Sequence, residues 1–292
     1  MSEPHAHIQS WSLLLAALVV VAELIYVRGW ISLRSAFPNL IGSWRLAAFT
    51  AGLILVWTAV GSPLATLDHQ SLTIHMMKHL VLMTVAAPLL LAGAPAFPLS
   101  CGLPKLFIKS GRSLASVPWR GLERCLRNPV LCWLAGTTAV IGWHLPAAFQ
   151  LGMRSQWAHV LEDATFLMAG LLFWWPIPQF SPNTPNSSRW WMALYLFLAT
   201  LPCDILSAFL VFCNRLVYPI YLSTPRLLSL SPLQDQECAG ALMWVWVTFA
   251  YLIPSVVITM QILSPANAPS QSSVRSLPQG EVGRSVNGAE VL

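Results

Sequence analysis

Residues 71–95 read "SLTIHMMKHLVLMTVAAPLLLAGAP". From Leu80 onward almost every side chain is apolar, and the stretch is long enough to cross a bilayer, which takes about 20 residues. Its head differs in kind: His75, Met76, Met77, Lys78 and His79 occupy five consecutive positions. Ionisable groups inside a membrane are costly and mark a functional site by default. Reading the stretch as a membrane helix decides the fold, and its polar head raises the question of function.

The rest of the chain has the same character. Of 292 residues, 56% are hydrophobic and only 9% are charged, against roughly a quarter charged in soluble domains. Seven runs have the length and composition of spans, at about 11–27, 46–62, 72–94, 129–147, 158–178, 190–212 and 239–262. The predicted fold is therefore all-α, a polytopic transmembrane helix bundle of about seven spans. Residues 1–262 are expected to form a single transmembrane helical domain. Residues 263–292, rich in Ser, Pro, Gly and Asn without apolar periodicity, are expected to be a disordered cytoplasmic tail. The N-terminal "MSEPHAHIQS" lacks a basic n-region, so the run after it reads as a retained span. Glu23, toward the inner end of that run, is expected to pair with Arg28.

The net charge of +5 is a topology signal in such a chain, not a nucleic-acid footprint. With seven spans, one side collects Arg28, Arg34, Arg45, Lys105, Lys109, Arg112, Arg120, Arg124, Arg127, Arg189, Arg275 and Arg284, and the other only Arg154, Arg215 and Arg226. The positive-inside rule then places the N-terminus outside and the C-terminus inside.

On that topology all seven histidines fall on the outer side. His5 and His7 lie in the N-terminal segment and His69 in the loop before the third span. His75 and His79 open the third span, His144 closes the fourth and His159 opens the fifth. His75 and His79 are four residues apart and share a helix face, the spacing that lets two imidazoles chelate one ion. His159 and Asp163 repeat it, with Glu162 beside them. Imidazole with carboxylate or thioether suits copper or zinc, and Met76, Met77 and Met83 are soft ligands that favour Cu(I). The candidate metal residues are His75, His79, His144, His159, Asp163 and Met76. Lys78 is expected to turn away from the His75/His79 face and snorkel to the interface.

Other polar groups are less decisive. Asp204 lies within the sixth span beside Pro202. Asp235, ahead of the seventh, could cap its helix or lean over the histidines. Six cysteines form no CxxC pair, which argues against a thiol chaperone site; Cys132 and Cys203 read as packing residues. There is no GxxxxGK[ST] for an ATP-driven pump, no GxSxG nucleophile and no CxxCH for covalent haem, so no enzymatic activity is expected.

Four stretches together, "HMMKHLVLMTVAAPLLLAGAP" (75–95), "GWHLPAAFQ" (142–150), "AHVLEDATFLMAGLLFWWPI" (158–177) and "LSPLQDQECAGALMW" (230–244), resemble the CtaG-type cytochrome c oxidase assembly proteins of bacteria. The resemblance spans roughly residues 45–260. It implies a multi-pass protein of the bacterial cell (inner) membrane that assists maturation of a haem–copper oxidase. The family's histidines match His75, His79, His144 and His159, and its "DQ" pair matches Asp235 and Gln236. Many members carry a second histidine where this chain has Asp163.

Resemblance and topology together point to a copper-binding assembly factor that helps insert copper into the oxidase catalytic subunit. A periplasmic copper donor is a further partner of that reading, and the lipid bilayer is its solvent. Three alternatives remain open at this point: a b-type haem-binding or haem-handling protein using paired histidines such as His79 and His144, a copper or small-solute transporter, and a structural chaperone with incidental histidines.

Overall fold

The computed structural model describes residues 3–36, 42–103, 128–177, 186–225 and 229–263. Within the described residues the secondary structure is helical, with no strand. Nine helices organise it: α1 (Glu3–Ala36), α2 (Ser43–Gly61), α3 (Leu72–Ala92), α4 (Ala96–Gly102), α5 (Pro129–His144), α6 (Pro146–Arg154), α7 (Gln156–Trp174), α8 (Asn186–Phe212) and α9 (Pro232–Leu263). The basic loop of residues 105–127, the tail after 263 and the side chains of His5 and His7 lie outside what is described.

Five helices (α1, α2, α3, α8 and α9) are long and apolar enough to cross a membrane, six if the bent pair α5–α6 counts as one span. The 19-residue α7 is long enough, but its polar first turns, with His159, Glu162 and Asp163, dilute its apolar character.

Two clusters form the core. The larger joins α3, α5, α7, α8 and α9 through residues such as Met76, Phe166, Phe173, Leu196 and Met243. The smaller packs α1 and α2 on the back of α3 through Tyr26, Phe49, Val56, Leu82 and Leu90. In the smaller cluster Tyr26 stacks on Phe49 at 3.9 Å and donates to the Gly93 carbonyl at 2.7 Å. Glu23 accepts from Thr50 at 2.6 Å, so a hydroxyl on α2 meets it where Arg28 was expected. Helices α1 and α4 approach backbone to backbone, because a Cβ on Gly102 would lie 1.9 Å from the Ile25 carbonyl oxygen. Small residues permit such contact between membrane helices.

Local sequence explains how the ends of α3, α5 and α7 come together. Pro146 disfavours helical geometry at the residue before it, and Leu145 is extended at φ −62°, ψ 131°. The chain therefore bends by 76° between α5 and α6. Helix α6 then lies over the first turns of α7, where Gly152 leaves room for Glu162: a Cβ there would lie 2.8 Å from Oε2. Helix α7 begins at Ser155, whose hydroxyl accepts from Ala158 N–H.

Helix α3 is capped from a distance. Its first N–H groups lack intrahelical partners, and the Asp235 carboxylate of α9 accepts from Leu72 N at 2.6 Å and Thr73 N at 3.3 Å. The same carboxylate accepts from Ser71 Oγ at 2.9 Å and Thr73 Oγ1 at 2.7 Å. An acid at a helix N-terminus also complements the helix dipole. Asp235 thus caps neither its own helix, whose cap is Ser231, nor the histidines. Its neighbour Gln236, fully buried, accepts from Val217 N and donates to the carbonyls of Leu210 and Arg215. It fixes the turn after α8. Lower in α3, a π-helical turn at Leu82–Ala86 leaves the Met83 carbonyl to accept from Trp174 Nε1 at 3.0 Å.

Candidate metal centre

The first two turns of α3 aim His75 and His79 at the first two turns of α7. His75 Nε2 lies 3.4 Å from Glu162 Oε1, and His79 Nε2 lies 3.9 Å from the same oxygen. All three side chains are buried, at 1%, 4% and 1% exposure. Their ligand atoms lie within 4.8 Å of one another; bonds near 2 Å join donors up to about 4 Å apart, and both histidine–Glu162 separations fall inside that reach. Neither ring nitrogen of His75 or His79 has a hydrogen-bond partner, and neither has Glu162 Oε2. An unmatched buried polar atom costs about 1–3 kcal/mol, so this group is unsatisfied without a cation.

A second group adjoins it. Asp68, His75 and His159 also place ligand atoms within 4.8 Å of one another. His159 Nε2 is 2.9 Å from Asp68 Oδ2, and its Nδ1 is 3.3 Å from Glu162 Oε2. Here a cation is already present. Lys78 Nζ donates to Asp68 Oδ2 at 2.5 Å, forms an ion pair with Asp163 Oδ1 at 2.9 Å, and lies 2.8 Å from His159 Nε2. Lys78 is buried, which corrects the expectation that it snorkels away. Position i+3 from His75 lies on a neighbouring face of the same helix, and the carboxylates of Asp68 and Asp163 draw the ammonium inward.

Asp163 is consequently shared: His79 Nε2 lies 3.3 Å from its Oδ1, the oxygen that Lys78 also binds. It stands at the edge of the cluster as the lysine's counter-ion. His144 and Met76, the remaining sequence candidates, are a pair of their own. His144 Nε2 is 3.1 Å from Met76 Sδ, with no carboxylate in contact. Met77 is exposed. Asp204 stands outside the cluster, on α8, and its Oδ1 has no hydrogen-bond partner. Cys132 and Cys203 are buried, as packing residues should be.

The mouth of the cluster is His69, about half exposed, with Nε2 3.7 Å from Asp68 Oδ1. Burial pushes its imidazole below the ordinary range despite the attraction of Asp68, which keeps it neutral and able to bind a metal at pH 7. Burial pushes the Asp68 carboxyl up, but the hydrogen bond from His159 and the Lys78 ammonium outweigh that and hold it well below the usual carboxylate range. Tyr221 fixes the turn by donating to the Asp68 carbonyl at 2.9 Å. Phe149 of α6 packs on His75 with ring centroids 5.0 Å apart and closes the cluster from the side.

The sequence candidates included Asp163 but not Glu162 or Asp68, the two carboxylates that the structure groups with the histidines. The signal was available in the i,i+3 spacing of His159 and Glu162. Asp68 had none beyond adjacency to His69, because only the turn of Pro63–His69 folds it back over α3.

The family model of the cytochrome c oxidase caa3 assembly factors, Caa3_CtaG, matches residues 24–264. The chain belongs to that family. No curated protein and no solved structure matched it. The family match contains every member of the cluster from Asp68 to Asp163 and the capping Asp235. As a Caa3_CtaG member the chain is an oxidase assembly factor, of a kind generally not catalytic, and its apolar helices make it a membrane protein.

Proposed function

We propose that the chain binds copper at His75, His79 and Glu162, with His159 and Asp68 as neighbouring ligands, and delivers it as cargo to the catalytic subunit of a haem–copper oxidase. The observation that carries the reading is the set of buried imidazole nitrogens, none of them hydrogen-bonded, that face the carboxylates of Glu162 and Asp163. Charge supports it as well. Three buried carboxylates, Asp68, Glu162 and Asp163, face one lysine. If all three are ionised, two negative charges remain for protonated histidine or a bound cation to balance, and burying charge without a partner is expensive.

In this reading the protein has seven spans, with α7 as the fifth and α5–α6 as one bent span. The N-terminus and the cluster lie outside and the C-terminus inside, in a bacterial inner membrane. Copper reaches His69 from a periplasmic donor and leaves by ligand exchange.

Volume argues for an ion over a haem. The cavity that His79 and His144 share is about 20 Å³, room for a water or an ion and far too small for a porphyrin. The test is made in cells carrying His75→Gln/His79→Gln. The oxidase is expected to accumulate with normal haem and with its catalytic copper reduced at least tenfold. Oxidase with full copper in that strain would overturn the reading.

A further inference from the structure

His144 and Met76 hold a contradiction in hydrogen bonding. His144 Nδ1 lies 2.6 Å from the Val140 carbonyl oxygen. A carbonyl only accepts, so Nδ1 carries the proton. In a neutral imidazole the other nitrogen then has a bare lone pair. That nitrogen, Nε2, faces Met76 Sδ at 3.1 Å, and a thioether sulfur has no proton to give. Two lone-pair donors therefore meet in a buried place, with Met76 1% and His144 7% exposed. Protonating His144 would relieve the clash only by burying a charge with no carboxylate in contact, which is costly. A Lewis acid that both atoms ligate removes the conflict.

The space beside them fits one. The wall of a cavity of about 20 Å³ includes Met76, His79, Met83, His144, Cys203 and Met243 and contains no carboxylate. Four sulfur-bearing side chains and two imidazoles, from α3, α5, α8 and α9, surround it. Thr84 and Tyr251 put neutral hydroxyls in the same wall, but thioether and thiol ligands with no carboxylate beside them favour soft monovalent ions, and the carboxylate-rich group above is the harder of the two.

We propose that His144 and Met76 are the core of a second, separate site that takes Cu(I), with Met83, Met243 and Cys203 as its soft wall. His79 belongs to both places: it lines this cavity, and its Nε2 lies 3.9 Å from Glu162. An ion can move between the two sites by ligand exchange while keeping His79, with no change of oxidation state. The inference deepens the copper reading and rests on it for the identity of the cargo.

The test uses the full chain in detergent, titrated anaerobically with Cu(I) against a chromogenic cuprous chelator, with the copper X-ray absorption spectrum recorded. Wild type is expected to hold two Cu(I) per chain, with sulfur in the coordination shell. Met76→Leu conserves volume and is expected to hold one, with the sulfur signal lost; His144→Gln should do the same. His75→Gln/Glu162→Gln should keep the sulfur-bound ion and lose the other. Sulfur absent from wild type, or a sulfur signal unchanged in both Met76→Leu and His144→Gln, overturns the second site whatever the upper one does. One sulfur-bound ion in wild type, kept in His75→Gln/Glu162→Gln, would overturn the upper site and leave this one standing. No binding at all would overturn both.

Discussion

Removing the Lys78 ammonium perturbs the cluster most sharply. Lys78 is the partner of Asp68 at 2.5 Å and of Asp163 at 2.9 Å, and all three side chains are at most 6% exposed. Methionine in its place keeps the length and deletes the charge, leaving two buried carboxylates without their ammonium partner. Breaking a buried ion pair from one side costs about 3–5 kcal/mol. At about 2–4 °C per kcal/mol for a chain of 150–250 residues, Lys78→Met should lower the melting temperature by roughly 10 °C. Thermal unfolding in detergent, with metal chelated so that no bound ion compensates, reads the shift. The triple variant Lys78→Met/Asp68→Asn/Asp163→Asn removes both stranded charges and should recover at least half of the loss, because the three sites are coupled. A Lys78→Met protein within about 2 °C of wild type, or a triple variant less stable than the single, would refute this description of the cluster.

Two further expectations concern how the site is held. Asp235→Ala removes four hydrogen bonds from the start of α3. It should cost about 2 kcal/mol, at the upper end for a helix cap, and speed hydrogen exchange at Leu72 and Thr73 selectively; unchanged exchange there would contradict the capping role. Gly102→Ala sets a Cβ against the Ile25 carbonyl and should cost about 1–3 kcal/mol as overpacking, read by the same thermal unfolding, without reducing copper bound per folded chain. Lower copper per folded chain would show that the α1–α4 contact reaches the site.

The helices, and the histidines at the ends of three successive spans, were legible in the sequence; that those ends meet in space was not, because helix order around the bundle leaves no local pattern. Apolar run lengths located α3, α8 and α9 closely, and the i,i+4 spacing of His75 and His79 set both on one face. What stayed hidden depended on phase and on distant contacts. Lys78 was assigned outward although i+3 from His75 is nearly the same side, and the acids that draw it in lie 10 and 85 residues away in the chain. His144 and Met76 looked like members of one site with the carboxylates. The bend at Leu145–Pro146 instead ends α5 at His144, against α3 and Phe166, with ring centroids 6.4 Å apart. Asp235 resembled a cap for the helix it opens, yet the first turn of α3 is closer to its carboxylate than any local pattern could indicate.

The central claim, that His75, His79 and Glu162 hold copper, is tested most directly by comparing copper bound per chain in purified wild type, Glu162→Gln and His75→Gln/His79→Gln. Wild type should bind copper with imidazole and oxygen in its shell. Glu162→Gln should bind at least tenfold more weakly, and the double histidine variant should lose that ion altogether. A copper with both imidazole and oxygen in its shell, retained at wild-type affinity in the double variant, would contradict the account.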